Sequence, residues 1–432
     1  MVDTAHFCCN KKCIVKVLQS YVASTLPRRG PDVTCPAPAA NRTACTRAFG
    51  HRTGLSVHRL GDKLIGKSLT LTGISKAYGA VEAVKNTTLE IHAGEFVSIV
   101  GPSGSGKTSL LTMIAGFEHP SSGTIHIASQ DITLAAPHLR NIGMVFQRYA
   151  LFPHMTVREN IAFPLRMRRV SRTPDGRRRV AEMLDLVQLE GLEDRYPHQL
   201  SGGQQQRVAV ARALVFNPPV ILMDEPLGAL DKKLREAMQL EIKRIQERLG
   251  ATVVYVTHDQ EEALTMSNRV AVMHRGTLQQ IGAPDELYRD PQNAFVADFV
   301  GSINFLPVTV VSCDENTAVV VLRGSSAPIS VRRRASDRPT PGQLYQLAIR
   351  PEHLELRATQ WDCNSVIEGV LDTVVFAGAT RTAVVRISAL GDAVVRVQVP
   401  FSQAIPEKGA LVSVEFAADN ARLFPAESEA QP

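Results

Sequence analysis

The strongest constraint in this chain is a buried-strand pattern, Glu95-Phe96-Val97-Ser98-Ile99-Val100, that runs into Gly101-Pro102-Ser103-Gly104-Ser105-Gly106-Lys107-Thr108 and then a helical run, Ser109 to Ala115. Strand, glycine-rich loop and helix in that order fit GxxxxGK[ST]. The glycines let the backbone wrap close to an anion and aim N–H groups at phosphate oxygens. The start of the following helix adds partial positive charge. Lys107 is expected to reach the β- and γ-phosphates of a nucleotide, and the Thr108 hydroxyl to ligate Mg²⁺.

A second apolar strand, Val220-Ile221-Leu222-Met223, delivers Asp224 and Glu225 to its C-terminal end, where an open α/β sheet places its ligands. Asp224 is the expected Mg²⁺ partner, through water, and Glu225 the general base that polarises an attacking water. Thr252-Val253-Val254-Tyr255-Val256 reads as a third strand, and the stretch from about Lys232 to Leu249 as a long helix. Leu69–Leu71 and Val84–Ile91 also read as strands, and charged helical sequence lies between about Val157 and Glu193. Strands alternate with helices and no two-residue hairpin turns are evident, which argues for a mainly parallel α/β sheet.

Leu200-Ser201-Gly202-Gly203-Gln204 narrows the reading further. It precedes a helical stretch, Gln205 to Phe216, and ends twenty residues before Asp224. With it, the chain resembles the nucleotide-binding subunits of ABC transporters, specifically those of binding-protein-dependent importers. Gln147 in Val145-Phe146-Gln147-Arg148-Tyr149 is similar to the family's Q-loop, Gly228-Ala229-Leu230-Asp231 to its D-loop, and His258 in Thr257-His258-Asp259 to its switch histidine. Gly228 stands where many members have Ser. Tyr78 matches the aromatic that stacks on adenine. Six motifs occur in the family's order, densely over about residues 68–300.

The resemblance implies an α/β P-loop NTPase fold with a helical subdomain at about 150–215. It assigns ATP binding to Tyr78, Gly101, Pro102, Ser103, Gly104, Ser105, Gly106, Lys107, Thr108 and Ser109, with Ser201, Gly202, Gly203, Gln204 and Asp231 also assigned to the nucleotide. Glu225, His258 and Gln147 are assigned to catalysis, and Thr108, Gln147 and Asp224 to Mg²⁺. In proteins similar to this one two subunits bind head to tail, so ATP would lie between Lys107 of one and Ser201-Gly202-Gly203 of the other. The implied partners are a second copy, two membrane permeases and, indirectly, a periplasmic solute-binding protein, at the cytoplasmic face of the inner membrane. The stretches Tyr149–Val157 and Pro226–Leu240 look most like polyamine (spermidine/putrescine) importers; ferric-iron, sulfate and sugar importers share much of them. Phe152-Pro153-His154-Met155-Thr156 is read as a socket for a permease's cytoplasmic helix. The arginines between Arg166 and Arg179 are read as a solvated face.

After about Asn304 short β-branched runs dominate: Val308–Val311, Ala318–Val321, Ala383–Ile387, Ala393–Val399 and Val412–Phe416. They are punctuated by Gly, Pro and Asp and read as a separate small β-barrel-like domain over 301–432. With Leu347-Ala348-Ile349-Arg350-Pro351-Glu352, this tail resembles the OB-like regulatory (TOBE) domain of the same importers.

The whole-chain charge of +6 invites a nucleic-acid partner. Its distribution withdraws the invitation. Residues 1–67 hold 11 Lys and Arg against 3 Asp, so the rest of the chain is net −2. That leader, with Pro, Arg, Thr and Ala and no sustained periodicity, is expected to be disordered. It also holds five of the seven cysteines; the odd total and absence of CxxC pairs argue against a disulfide framework or zinc site. No apolar run approaches the roughly 18–20 residues that span a bilayer. DNA- or ribosome-directed ABC ATPases carry coiled coils, zinc modules or two ATP units. Here Lys107 and Asp224 are 117 positions apart with no heptads or cysteines between them.

Overall fold

The computed structural model describes residues 66–426, apart from 148, 229, 324–327, 334–338, 359–365 and 392. The leader expectation for residues 1–65 lies outside the described residues. Gly66 and Lys67, assigned above to that leader, belong instead to the fold. Gly66 N donates to Gly250 O at 3.0 Å and Lys67 N to Pro219 O at 3.2 Å, while Thr252 Oγ1 donates to Lys67 O at 2.8 Å.

The first half runs β1 (Leu69–Tyr78), β2 (Val81–Ile91), β3 (Phe96–Val100), α1 (Lys107–Ala115), β4 (Ser122–Ile127), β5 (Gln130–Asp131) and β6 (Gly143–Val145). Helices α2 (Val157–Met167), α3 (Pro174–Leu186) and α4 (Gly202–Leu214) follow. The chain then alternates: β7 (Val220–Asp224), α5 (Lys232–Leu249), β8 (Thr252–Val256), α6 (Gln260–Met266), β9 (Arg269–His274) and β10 (Thr277–Gly282). Two short helices close this part, α7 (Pro284–Arg289) and α8 (Ala294–Phe299).

Two sheets result. The six-stranded sheet has the order β10-β9-β3-β8-β7-β6 and is parallel except for the β9–β10 pair. The other, β2-β1-β4-β5, is antiparallel throughout. This corrects the expectation of a sheet without two-residue hairpins. Gly79-Ala80 joins β1 to β2, with Tyr78 paired to Val81, and Arg275-Gly276 joins β9 to β10. The second turn holds Arg275 at φ 48° and Gly276 at φ 82°, the primed geometry usually marked by Asn-Gly or Asp-Gly. Arginine in the first position hides it.

The parallel sheet is buried on both faces, which is why its strands read as continuous apolar runs rather than alternating ones. Val220, Leu222, Val254 and Val256 face a core shared with β1 and α1; Ile221, Met223, Val253 and Tyr255 face a second core packed by α2 to α5. Asp231 caps α5 by accepting from Leu234 N at 3.0 Å, and Gly250 at φ 59° ends it.

The tail forms β11 (Asn304–Cys313), β12 (Thr317–Leu322), β13 (Pro328–Arg332), β14 (Leu344–Ile349), β15 (Glu355–Arg357), β16 (Val366–Phe376), β17 (Thr380–Ile387), β18 (Ala393–Pro400), β19 (Leu411–Glu415) and β20 (Ala421–Pro425). These make two five-stranded antiparallel sheets, β13-β12-β11-β14-β20 and β15-β19-β16-β17-β18, around one core, an OB-like arrangement. Arg350 joins the tail to α7 and α8. It is 4% exposed, stacks over the Tyr288 ring at 3.9 Å, and donates to Tyr288 O, Ala297 O and Ser302 O at 3.0–3.2 Å.

Candidate functional site

Four adjacent parallel strands end on the same edge of the large sheet. β3 delivers the glycine loop, β6 leads to Gln147, β7 ends in Asp224 and Glu225, and β8 leads through Thr257 to His258. The register holds these ends level: Ile99 and Asp224 both pair with Val256, and Val145 with Met223.

The loop is shaped by close backbone approach. At Gly101, φ 154°, a Cβ would sit 2.2 Å from Met273 O of β9; at Gly106, φ 98°, it would sit 2.4 Å from Ala83 O of β2. Neither position has room for a side chain. Gly106 offers no side chain to cap α1, so the first-turn N–H groups of that helix have no capping side chain, as an anion site needs. Lys107, 6% exposed, donates from Nζ to Gly101 O at 2.7 Å and Pro102 O at 2.9 Å. Burial lowers its pKa, and the nearby Glu225 and Asp224 oppose that shift. Thr108 is exposed and Ser109 half-buried beside it.

Glu225 is where three of the expected catalytic side chains meet. Its Oε2 accepts from Gln147 Nε2 at 2.9 Å, and its Oε1 lies 3.1 Å from His258 Nδ1. The residue sits at φ 42°, uncommon for a side-chain-bearing residue, with its N–H donated to Val256 O at 2.9 Å. Asp224 Oδ1 is buried without a hydrogen-bond partner. Its pKa is raised, first by burial and then by Glu225, against the pull of Lys107.

A network that sequence reasoning missed lies beneath His258. Glu262, 2% exposed, accepts from Thr257 Oγ1 and Tyr255 Oη, both at 2.8 Å, and burial raises its pKa. Asp259 accepts from Arg235 Nη1 at 3.0 Å. These bonds fasten the segment carrying His258, itself 62% exposed, to α6 and α5. The succession Asp259-Gln260-Glu261-Glu262 after a strand carries a helix-start signal, with Asp259 as the cap of α6.

The remaining expected residues stand apart from this cluster. Ser201 caps α4 in a capping box with Gln204: Gln204 N donates to Ser201 Oγ at 3.3 Å and Ser201 N to Gln204 Oε1 at 3.0 Å. Among the described residues no hydrogen bond joins 201–204 to Lys107, Gln147, Asp224, Glu225 or His258. Asp231 spends its side chain on capping α5. Tyr78, 46% exposed, sits at the tip of the β1–β2 hairpin, whose Ala83 backs Gly106. Gly228 is loosely surrounded, with Glu225 O at 3.7 Å from a built Cβ, so serine would fit there.

Beside Gln147 lies an apolar groove of about 330 Å³ lined by Met144, Phe146, Ala150, Phe152, Phe163 and Phe216, among others. The arginine run is largely solvated: Arg178 pairs with Asp175 and Glu182 on the surface of α3, and Arg179 with Asp175. Arg168 departs from that by stacking on Phe216 at 3.8 Å. No helix among the described residues is long and apolar enough to cross a membrane.

Residues 84–228 match the family model described as ABC transporter, and residues 347–424 the one described as TOBE domain. The spermidine/putrescine import ATP-binding protein PotA of Thermobifida fusca is 47% identical over 328 residues, 74% of this chain and 83% of the relative. The protein of the same description from Aliivibrio fischeri is 45% identical over 320 residues, 74% of this chain and 85% of the relative. A solved dimeric ATP-binding cassette in a post-hydrolysis state with ADP and Pi is 38% identical, covering 50% of this chain and 98% of that one, with a TM-score of 0.45. This chain belongs to the ABC transporter family, as an ATP-binding subunit that couples ATP hydrolysis to transport. The two curated relatives set beside it above are each described as a spermidine/putrescine import ATP-binding protein.

Proposed function

We propose that this chain powers polyamine import, hydrolysing ATP at the edge where Lys107, Asp224, Glu225, Gln147 and His258 stand. The observation that carries the site assignment is the convergence of Gln147 and His258 on the two oxygens of one carboxylate, Glu225. The polyamine assignment rests on the relatives named for spermidine/putrescine import.

Lys107 and the uncapped start of α1 would neutralise charge on the phosphates. Glu225 would accept a proton from the attacking water, with Gln147 holding Oε2 and His258 placed to touch the terminal phosphate. Asp224 Oδ1, buried and without a partner, together with the exposed Thr108 hydroxyl, fits a hard divalent cation, and these two with Gln147 would hold Mg²⁺. When bound, Mg²⁺ offsets phosphate charge. Ser201 to Gln204 lie on a separate helix start without bonds to this cluster, which suits closure over the ATP of a second copy. We propose further that the ATPase part runs from Gly66 to about Val300 and the β domain from there on. The groove beside Gln147 would seat one of two permeases at the cytoplasmic face of the inner membrane, with a periplasmic solute-binding protein as indirect partner and no nucleic acid.

The test of the site is Glu225→Gln. Loss of a positioned general base should lower turnover by about 10²–10⁴-fold while ATP still binds. Wild-type turnover in that variant would refute the assignment. For the substrate, proteoliposomes holding the subunit and its permeases, with the solute-binding protein outside, should accumulate labelled spermidine only when ATP is enclosed; accumulation of sulfate or a sugar instead would refute the polyamine reading.

A further inference from the structure

Arg212 projects from the last turn of α4, the helix that starts at Ser201. It is 8% exposed. Its Nη1 donates to Ala150 O at 2.7 Å and its Nη2 to Tyr149 O at 2.8 Å. Its guanidinium lies 5.6 Å from the Phe152 ring centroid. No carboxylate lies within ion-pair distance among the described residues, so this buried cation is satisfied by main-chain carbonyls. Burial accordingly lowers its pKa.

Those carbonyls belong to an unusual piece of backbone. Tyr149 and Ala150 are consecutive non-glycine residues in the left-handed region, at φ 57° and 46°. Both conformations are unfavourable for residues that carry a Cβ. Such a pair persists only where the surroundings over-determine it. The turn before them closes by Tyr149 N donating to Phe146 O at 2.9 Å, and Gln147 lies inside that turn. Arg212 therefore holds the exit of the turn whose entrance carries the glutamine bonded to Glu225. It also lines the apolar groove with Phe146, Ala150 and Phe152.

We propose that Arg212 is a positioning residue that locks the Gln147 turn to α4, so that this glutamine and the Ser201 loop at the other end of the helix move as one body. Arg212 touches no reacting atom. It acts through the backbone of Tyr149 and Ala150. The inference rests on the roles proposed above for Gln147, Glu225 and Ser201. In the head-to-tail dimer, it makes α4 a rigid link between the glutamine serving one ATP and the loop closing over the other.

The test is a double-mutant cycle on the full chain, reading steady-state ATPase kcat and, separately, nucleotide affinity by fluorescence titration. Arg212→Met should lower kcat by about tenfold with Kd for ATP within about twofold, a loss of transition-state rather than ground-state stabilisation. Gln147→Ala alone should lower kcat at least as much. Because Arg212 acts through Gln147, the double variant should lie within about threefold of Gln147→Ala; independent effects would multiply to about a hundredfold, a difference well outside additivity error. Arg212→Lys, which offers one point charge instead of a fork, should fall between wild type and Arg212→Met. It carries the same cycle if the methionine variant does not fold. Amide exchange at 147–152 should quicken in either variant.

A multiplicative cycle, or an unchanged kcat in both Arg212 variants, overturns the inference while leaving the site reading intact. An unchanged kcat in Gln147→Ala overturns the site reading, and this inference with it.

Discussion

Replacing Arg140 by methionine should destabilise the ATPase part by about 3–5 kcal/mol, the sum for main-chain acceptors that lose a charged donor. Arg140 is 2% exposed and lies against the C-terminal end of α1. It donates Nε to Ala135 O at 2.8 Å, Nη1 to Met113 O at 2.7 Å and Ile114 O at 2.8 Å, and Nη2 to Thr133 O at 2.9 Å. Met113 O keeps a second donor, Gly116 N at 3.2 Å. The buried carbonyl of Ile114 and the half-buried carbonyls of Thr133 and Ala135 would lose the guanidinium, at about 1–3 kcal/mol for the buried acceptor left unsatisfied and about 0.5–1.5 kcal/mol for each of the other two. Methionine retains the apolar stem and relaxation recovers part of that sum, which brings it to the range above. The fit is tight: a Cβ on Gly116 would lie 2.4 Å from Arg140 Nε. The guanidinium also faces the negative end of the α1 dipole, worth a further few tenths to 1 kcal/mol. For a unit of this size each kcal/mol moves the midpoint by roughly 2–4 °C. Differential scanning calorimetry should therefore show the ATPase transition about 6–20 °C lower, with saturating ATP restoring part of the loss because α1 begins at Lys107. Amides at 111–115 should exchange faster, since the last turn of α1 loses its anchor. A midpoint within about 2 °C of wild type, or unchanged exchange in that turn, would refute the reasoning.

Tyr288 should titrate late. Burial, then the hydrogen bond to Glu352 and that carboxylate's charge, push its phenol up to about 12, against the opposing pull of Arg350. The neutral phenol is the form the fold prefers, so its contribution is present below the usual phenol pKa of about 10 and is lost as pH rises through about 12. The absorbance difference at 295 nm between wild type and Tyr288→Phe should show a phenolate step near pH 12; a step near pH 10 would refute it. Deletion of residues 1–65 should leave ATPase kcat within about twofold of the full chain, because the strand bonds at Gly66 and Lys67 survive. A large loss of activity would show that the leader takes part.

Much of the site was legible because its chemistry is written in short contiguous stretches. The loop 101–108 needs glycine where backbone atoms come within 2.2–2.4 Å of a built Cβ, and that demand leaves a local trace in the sequence. Strands β7 and β8 were legible from unbroken apolar runs, since both faces are buried. The N-terminal antiparallel sheet was less so. Its two-residue turn uses Gly79-Ala80, and the β9–β10 turn of the large sheet uses Arg275-Gly276, neither of which local turn chemistry singles out. In Ser201, Gln204 and Asp231 the same residues that suggest a nucleotide site also satisfy helix caps. One side chain can therefore carry both meanings.

By itself the sequence determined the phosphate loop, the alternation of buried strands and helices, the β-rich tail, and the family, all from signals spread over a few residues each. Only the tertiary structure decided that Gln147 and His258 grip opposite oxygens of Glu225, because parallel strand order, not sequence distance, brings residues 78 positions apart to 2.9 Å. It alone decided the work of Arg140, Arg212 and Arg350. Each is a nearly buried cation held by carbonyls rather than by carboxylates. Which carbonyls need a donor depends on where helices end and loops turn once packed. That accounting runs over the whole fold, and no local pattern of residues records it.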